Sequence, residues 1–338
     1  MASSTSIRSV LGSAPIEPLM HSEYSDSDSG YDEKTLSTAS LRSSIYQYEE
    51  ENGRSYHAFK AGKYLLPNDE AEQERMDIHH YAISVALGDR LFYAPLDNPT
   101  AVVDIGTGTG AWAIDVADTF PSAYVLGTDL SPIQPTYVPT NLEFQVADMD
   151  DPWDMDNRFD LVHTRNLHFN VKSWPKFYEE AFRSLRPGGW VENLEFDLEF
   201  QSDDNTLSPD GPTSRWCRLM TEGFTKVGSD GRLYPELMKQ QMADAGFINT
   251  QIIPIKMPIG AWPKDPVLRE GGRWFLVGIL EGISGLSVRL FTQVLGWTPE
   301  EMELLLMEAR NELKQKKVHS WCPYFTVLGQ KPPEPKAD

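Results

Sequence analysis

The chain has 338 residues, of which 40% are hydrophobic, and its formal net charge at pH 7 is -20. This acidity argues against binding to nucleic acid or to an anionic membrane through bulk charge, because those surfaces attract basic patches. The two cysteines, Cys217 and Cys322, have the spacing of neither a metal site nor a disulfide framework, which indicates a reducing compartment. The N-terminus lacks the apolar core of a signal peptide, and we expect no apolar run long enough to span a bilayer.

The first third of the chain divides into a tail and a cap. Residues 1–45 are rich in serine and acidic residues, with few apolar side chains to offset the entropy of ordering. We therefore predict a disordered tail over 1–45 and a helical N-terminal cap over 46–99. Asn68 is the expected N-cap of the helix in this cap. The positions at helical spacing in that helix are Met76, His80, Ile83 and Leu87.

Residues 101–110 form the pattern of a buried strand followed by a glycine turn with Gly106, Gly108 and Gly110. A strand, a glycine turn and a helix in this order expose backbone amides and let a ligand approach the backbone closely. With an alanine in its last glycine position, the turn satisfies the relaxed dinucleotide pattern. With Asp104 before it, the turn equally satisfies the acid-x-Gly-x-Gly-x-Gly pattern of S-adenosylmethionine (SAM) enzymes. The turn alone leaves both ligands open.

Strands and helices alternate beyond the turn, which predicts a parallel sheet with right-handed crossovers. The second strand ends at Asp129, about twenty residues after the glycines, where a carboxylate can bind ribose hydroxyls. A turn or helix cap is the competing interpretation of Asp129. The third strand runs into Asp148 and Met149, an acid and an apolar side chain that suit adenine. The C-terminal end of the fourth strand, at His163 to His168, is expected to border the same cleft.

Two segments exceed what a sheet and its helices require, at 200–231 and at 258–317. Insertions at the ligand end of such a sheet commonly form a substrate pocket. Trp216 and Trp274 lie in these insertions and are therefore candidates for substrate contact. Ordinary core packing is the competing interpretation of each.

Together these motifs resemble the class I SAM-dependent methyltransferases and, more narrowly, the fungal LaeA-like methyltransferases. The resemblance lies in residues 103–112, 127–132, 147–149, 159–162 and 185–190, while 53–57, 67–69 and 160–165 fit the narrower group. It implies an α/β fold with a Rossmann-like seven-stranded sheet in the order 3-2-1-4-5-7-6, whose last strand is antiparallel. It also implies that this methyltransferase domain extends over 100–332 and contains the two insertions.

The resemblance further implies that SAM is the cofactor, because a dehydrogenase would not explain the Ala-Asp-Met motif or the Arg-Pro-Gly-Gly motif. The residues that it assigns to the methionine moiety of SAM are Asp104, Gly106, Gly108 and Gly110. It assigns the ribose hydroxyls to Asp129, and the adenine to Asp148 and Met149. Tyr56 and Arg165 join Trp216 and Trp274 as candidates for the substrate pocket.

The histidines near the fourth strand are the candidate catalytic residues. If the acceptor is a hydroxyl, His163 or His168 is a candidate base, since histidine titrates near neutral pH. A structural histidine at a strand end is the alternative, and an amine or carboxylate acceptor needs no such base. We expect no metal, because no acidic and histidine cluster shows ligand spacing.

The expected function is methyl transfer to an oxygen, nitrogen or carboxylate acceptor on a small molecule or peptide, in fungal secondary metabolism and in the cytoplasm. The alternative is a nuclear regulator of metabolite genes that acts through protein partners, since the narrower group contains both kinds. A nicotinamide-dependent oxidoreductase is a third and weaker hypothesis. We expect no direct contact with nucleic acid or membrane, and the sequence leaves the acceptor and the oligomeric state open.

Overall fold

The computed structural model describes residues 48–57, 59–60 and 65–335, so the predicted disordered tail lies outside the described residues. The strands are β1 Glu49–Glu51, β2 Arg54–Tyr56, β3 Ala101–Ile105, β4 Tyr124–Asp129, β5 Leu142–Val146, β6 Phe159–Arg165, β7 Leu185–Phe196, β8 Gln201–Ser202, β9 Ile248–Pro258 and β10 Ser320–Gln330. The helices are α1 Glu70–Ala86, α2 Ala111–Thr119, α3 Trp174–Ser184, α4 Pro212–Lys226, α5 Pro235–Asp244, α6 Pro266–Arg289 and α7 Pro299–Leu313. A π-helical turn, Leu290–Val294, continues α6.

The central sheet has the predicted topology. Strands β5, β4, β3, β6 and β7 lie side by side and parallel, and β10 lies antiparallel between β7 and β9. Counting β3 as the first strand of this sheet and β10 as the seventh, the order is 3-2-1-4-5-7-6. The predicted fold class is therefore confirmed, including its antiparallel last strand. A short strand that was not predicted, β8, pairs with the beginning of β10.

Helices cover both faces of the sheet, which is why β3 is buried along its whole length. On one face α3 and α5 contribute Phe177 and Met238 to a core. On the other face α2 contributes Trp112 and Val116 to a second core. Because the helices cover the faces, a ligand can reach the parallel strands only at their ends.

A third core lies beside the sheet and contains the helices of the two predicted insertions. Segment 200–231 contains α4, and segment 258–317 contains α6 and α7. These helices pack with α1 against residues of β7, β9 and β10. The insertions and the cap therefore build one layer next to the strand ends.

The N-terminal cap over 46–99 contains α1 and, before it, a hairpin of β1 and β2 that the sequence analysis missed. α1 is capped by Asp69 and not by the predicted Asn68. The Asp69 carboxylate accepts the backbone N–H of Glu72 at 3.1 Å and pairs with two guanidinium nitrogens of Arg54 at 2.6 and 2.7 Å. The backbone N–H of Asn68 instead donates to β2. The ion pair with Arg54 thus favours Asp69 over its neighbour Asn68 as the N-cap.

α1 packs along α6, and glycines make the close approach possible. A Cβ at Gly271 would lie 3.0 Å from the Cβ of Ala86, and one at Gly282 would lie 2.0 Å from Cδ of Arg75. The helix Pro266–Val294 is long and apolar enough to cross a membrane by length and composition, with 61% of its apolar window buried inside the protein. The expectation that no apolar run has this length is therefore wrong. A helix buried in a protein core meets the same criteria, and this one is the main partner of α1.

Candidate functional site

A cavity of about 230 Å3 opens at the carboxyl ends of the parallel strands. The glycine turn and the end of β4 form one end of the cavity. The opposite end is a chamber between α1, α4, α6, β7 and β10, lined mainly by aromatic side chains. The two ends differ in chemistry, since the first is rich in backbone amides and carboxylates and the second is largely apolar.

The glycine turn contributes two of its three glycines to the cavity. Gly106 has a φ of +70°, and a Cβ there would lie 2.5 Å from Cδ2 of Leu167, so only glycine fits. Gly108 also lines the cavity. Gly110 does not: a Cβ there would lie 2.3 Å from Cζ of Phe144 on β5. The structure therefore gives Gly110 a packing role, in place of the predicted contact with the cofactor.

Two carboxylates hold the turn. Asp104 accepts the hydroxyl of Thr107 at 2.7 Å on one oxygen and Nδ1–H of His163 at 2.8 Å on the other. Asp129 accepts the backbone N–H groups of Gly108 and Ser131, each at 2.9 Å. Burial raises the pKa of Asp129 to about 6, although backbone donors from Ser131, Gly108 and Leu130 favour its ionised form. Both aspartates line the cavity. Asp104 is bound by side-chain donors, whereas the donors to Asp129 come from the backbone.

Of the two residues predicted for adenine, the structure brings one to the cavity. Met149 lines it, next to Ala147. The Asp148 carboxylate accepts the backbone N–H of Asp150 at 2.9 Å and pairs with Nζ of Lys60 at 2.6 Å. Asp148 does not line the cavity, because these two contacts turn its carboxylate toward the N-terminal segment.

Neither predicted catalytic histidine lines the cavity. His163 is buried under α2, where its ring stacks on Trp112 with the centroids 3.5 Å apart and the planes 7° apart. His168 is also buried, and its Nε2 donates to the carbonyl oxygen of Arg232 at 2.8 Å. Burial lowers the pKa of both imidazoles. These contacts correspond to the structural alternative, so the geometry does not support either histidine as the base.

The predicted substrate residues divide evenly. Arg165 and Trp216 line the cavity. Tyr56 does not, because it packs under the guanidinium of Arg289, 3.3 Å from the ring centroid. Trp274 faces away as well: its ring packs edge-on against Tyr81, 5.6 Å between centroids. Tyr56 and Trp274 are therefore structural in this fold.

Arg165 is oriented by a chain of hydrogen bonds that the sequence analysis did not predict. Its Nη2 donates to Nδ1 of His80 at 2.9 Å. Because Nδ1 accepts, the ring N–H lies on Nε2, which donates to Asp115 at 2.9 Å. His80 thus links a cavity guanidinium to a carboxylate on α2.

Other cavity residues were missed as well. Nδ2 of Asn68 and Oδ1 of Asn166 are buried in the cavity lining and meet no hydrogen-bonding partner within the described part of the chain. The Asn68 amide nitrogen is a hydrogen-bond donor and the Asn166 amide oxygen is an acceptor. The two atoms together suit a polar ligand that carries both kinds of group, such as the amino-acid end of SAM. His79 and Tyr324 also line the cavity and contact each other. The only signal for His79 in the sequence is its spacing of three residues from Met76.

Known proteins are similar to this chain over most of its length. Residues 78–252 match a methyltransferase-domain family, Methyltransf_23, and the match ends within β9, before α6 and β10. Methyltransferase pytC of Aspergillus terreus is 40% identical over 88% of this chain and 92% of that protein. Secondary metabolism regulator LAE1 of Cochliobolus heterostrophus is 38% identical over 80% of this chain and 91% of its own. Protein-methionine methyltransferase laeA of Emericella nidulans is 36% identical over 85% of this chain and 77% of that protein.

Proposed function

The chain belongs to this methyltransferase family, and from that premise we propose that it transfers a methyl group from SAM to a small, largely apolar acceptor in fungal secondary metabolism. The matches confirm the predicted family, a LaeA-like SAM-dependent methyltransferase. One observation carries the choice of acceptor: a single cavity joins the glycine turn and Asp129 to an aromatic chamber.

At the cofactor end, Asp129 would hold the ribose hydroxyls of SAM. Its carboxylate accepts backbone N–H groups of Gly108, Ser131 and Leu130, and two carboxylate oxygens offer about four acceptor positions, so the group retains room for a hydroxyl donor. Met149 would pack on the adenine, and Arg165 with Asn68 and Asn166 would bind the amino-acid end. When bound, SAM supplies a methyl group on a sulfonium, so the protein need not activate the donor.

The acceptor end favours a small apolar molecule over the predicted peptide alternative. Its aromatic lining includes Phe169, Phe196, Phe200, Trp216, Phe224 and Phe275. Burial of apolar surface against such a lining contributes about 25 cal/mol per Å2. A peptide would leave backbone amides without hydrogen-bonding partners there, at a cost that a flat apolar molecule avoids.

Positioning is the main task that remains for the protein. Holding the acceptor at near-attack distance from the methyl group can contribute about 7–11 kcal/mol to lowering the barrier. The chamber walls come from α1, α4, α6, β7 and β10, elements that pack together in the third core. A rigid wall of this kind suits the task, because small displacements of a reacting atom greatly reduce the rate.

Calorimetric titration with SAM tests the cofactor end. Asp129→Asn should weaken SAM binding by about 10–100-fold, since hydrogen bonds to a charged group are lost. Gly106→Ala should also weaken it, because its Cβ would displace Leu167 in the lining. Gly188→Ala is the matched control: its φ is +86°, nothing lies within 4 Å of its Cβ, and it does not line the cavity. Unchanged affinity in both cavity variants would refute the site.

A regulatory function is the second candidate, because two relatives are named as a secondary metabolism regulator and as a protein-methionine methyltransferase. We propose cytoplasmic localisation for the biosynthetic enzyme and nuclear localisation for the regulator. Imaging and affinity purification of the tagged protein separate the two. Nuclear retention with a stable protein partner would favour the regulator. A cytoplasmic protein whose deletion yields a metabolite lighter by one methyl group would favour the enzyme.

A further inference from the structure

A histidine and a tyrosine form a polar pair in the cavity wall. His79 lies on α1, one turn after Met76, whose Sδ is 3.4 Å from the position of a Cβ at Gly108. Residues three apart on a helix share a face, so His79 follows Met76 from the glycine turn toward the chamber. Nε2 of His79 lies 2.9 Å from the hydroxyl oxygen of Tyr324 on β10. Both residues line the cavity.

The pair is surrounded by aromatic rings. Phe275 packs against His79 with the ring centroids 5.1 Å apart and against Tyr324 at 6.0 Å. Phe196 packs against Tyr324 at 5.4 Å. A polar pair in such a wall is costly unless its members bond to each other or to a ligand. The pair is therefore a specific hydrogen-bonding point in an otherwise apolar chamber wall.

Both members of the pair are neutral at physiological pH. Burial raises the pKa of Tyr324 well above 10. Burial lowers the pKa of His79 well below 6.5, and the positive charges of Arg75 and Arg165 lower it further. In the neutral tautomer of His79 that carries its proton on Nδ1, the hydroxyl of Tyr324 donates to Nε2, and the Tyr324 oxygen keeps acceptor capacity for a ligand.

We propose that Tyr324 and His79 receive the proton of an acceptor hydroxyl, and hence that the substrate is an alcohol or phenol on an apolar framework. This inference rests on the proposed methyl transfer. The oxygen of the acceptor forms its bond to the methyl carbon as the carbon–sulfur bond breaks, and the sulfur keeps the electron pair of the broken bond. The acceptor proton moves to the Tyr324 oxygen, and the proton of Tyr324 moves to Nε2 of His79.

The electrostatics of the cavity are consistent with this transfer. The positive charge of the sulfonium disappears as the imidazolium of His79 forms, so the net charge of the cavity does not change. Arg75 and Arg165 then favour release of the proton to water after the product leaves, because they make the imidazolium a stronger acid. A thioether acceptor has no proton to lose, and an amine attacks through its lone pair without a base, so neither needs the pair.

Probe binding tests the hydrogen bond. The protein saturated with S-adenosylhomocysteine is titrated with 2-naphthol and with 2-methoxynaphthalene, which lacks the O–H donor. Wild type should bind 2-naphthol about 3–10-fold more tightly, the range expected for one hydrogen bond. Tyr324→Phe should abolish this preference, and His79→Gln should retain it, because the glutamine carbonyl can still accept from Tyr324. Tyr81→Phe is the matched control, since Tyr81 is an exposed tyrosine of α1 outside the cavity.

Methyl transfer to 2-naphthol tests the proton step. His79→Gln should lower kcat by about 100-fold, within the range for a general base, with little change in KM. The affinity for SAM should not change in His79→Gln or in Tyr324→Phe. The inference is overturned if wild type binds SAM but neither prefers nor methylates 2-naphthol, or if Tyr324→Phe keeps the preference, or if His79→Gln keeps wild-type kcat. Failure of wild type to bind SAM would instead refute the proposed function.

Discussion

Gly110 provides a quantitative test of how the glycine turn is built. Its φ of +84° lies in the left-handed region, and a Cβ there would lie 2.3 Å from Cζ of Phe144. Gly110→Ala therefore combines a backbone cost of about 1–2 kcal/mol with an overpacking cost of about 1–3 kcal/mol. We expect the free energy of unfolding to fall by about 2–5 kcal/mol, measured by urea unfolding and tryptophan fluorescence.

Two further variants separate the two costs. Gly188→Ala should carry the backbone cost of about 1–2 kcal/mol alone, because its φ is +86° and nothing lies within 4 Å of its Cβ. In a double-mutant cycle with Phe144→Leu, the cost of Gly110→Ala should shrink by about 1–3 kcal/mol as the clash is relieved. Equal losses in Gly110→Ala and Gly188→Ala, or a cycle without coupling, would refute the packing role of Gly110.

Three other predictions concern pH and packing. Since the pKa of Asp129 is raised to about 6, SAM affinity should fall as the pH drops from 7 to 5 in calorimetry, and Asp129→Asn should give a flat profile. Burial raises the pKa of Glu195 from 4.5 to about 8. Between these two pH values the folded protein keeps a proton that the unfolded chain releases, so wild-type stability should fall as the pH rises from 4.5 to about 8. Glu195→Gln, which can still accept the backbone N–H of His168, should lose less stability than wild type over the same window in urea unfolding. Trp216→Ala should cost about 3–5 kcal/mol of stability and weaken 2-naphthol binding, with SAM affinity unchanged in calorimetry.

The sheet and the position of Asp129 in the cavity lining were predictable because their determinants are local. The apolar residues of β3, the glycines and Asp129 follow one another along a single strand–turn–helix–strand unit. The outward turn of Asp148 was not predictable in this way, since it depends on Lys60, 88 residues earlier in the chain. The packing of Gly110 was not predictable either, because Phe144, the residue it packs against, belongs to β5.

The histidines show the same limit. His163 lies at the end of β6, as predicted, but it is the register partner of Asp104, and Trp112 of α2 covers it. A strand end indicates proximity to a cleft, and the helix packed over it decides whether a side chain reaches that cleft. His79 and Tyr324 are 245 residues apart, so no local pattern joins them. The hairpin β1–β2 was missed because its strands are only three residues long.

The contact of α1 with the glycines of α6 has a consequence for the order of events during synthesis. The ribosome makes α6 on the order of 200 residues after α1, which at about 5–20 residues per second leaves the first helix without its partner for ~10–40 s. The parallel strands emerge in that interval, while one side of the pocket is still open. Competence to bind is thus acquired only after α6 has been made and has packed against α1 beside the sheet formed in between.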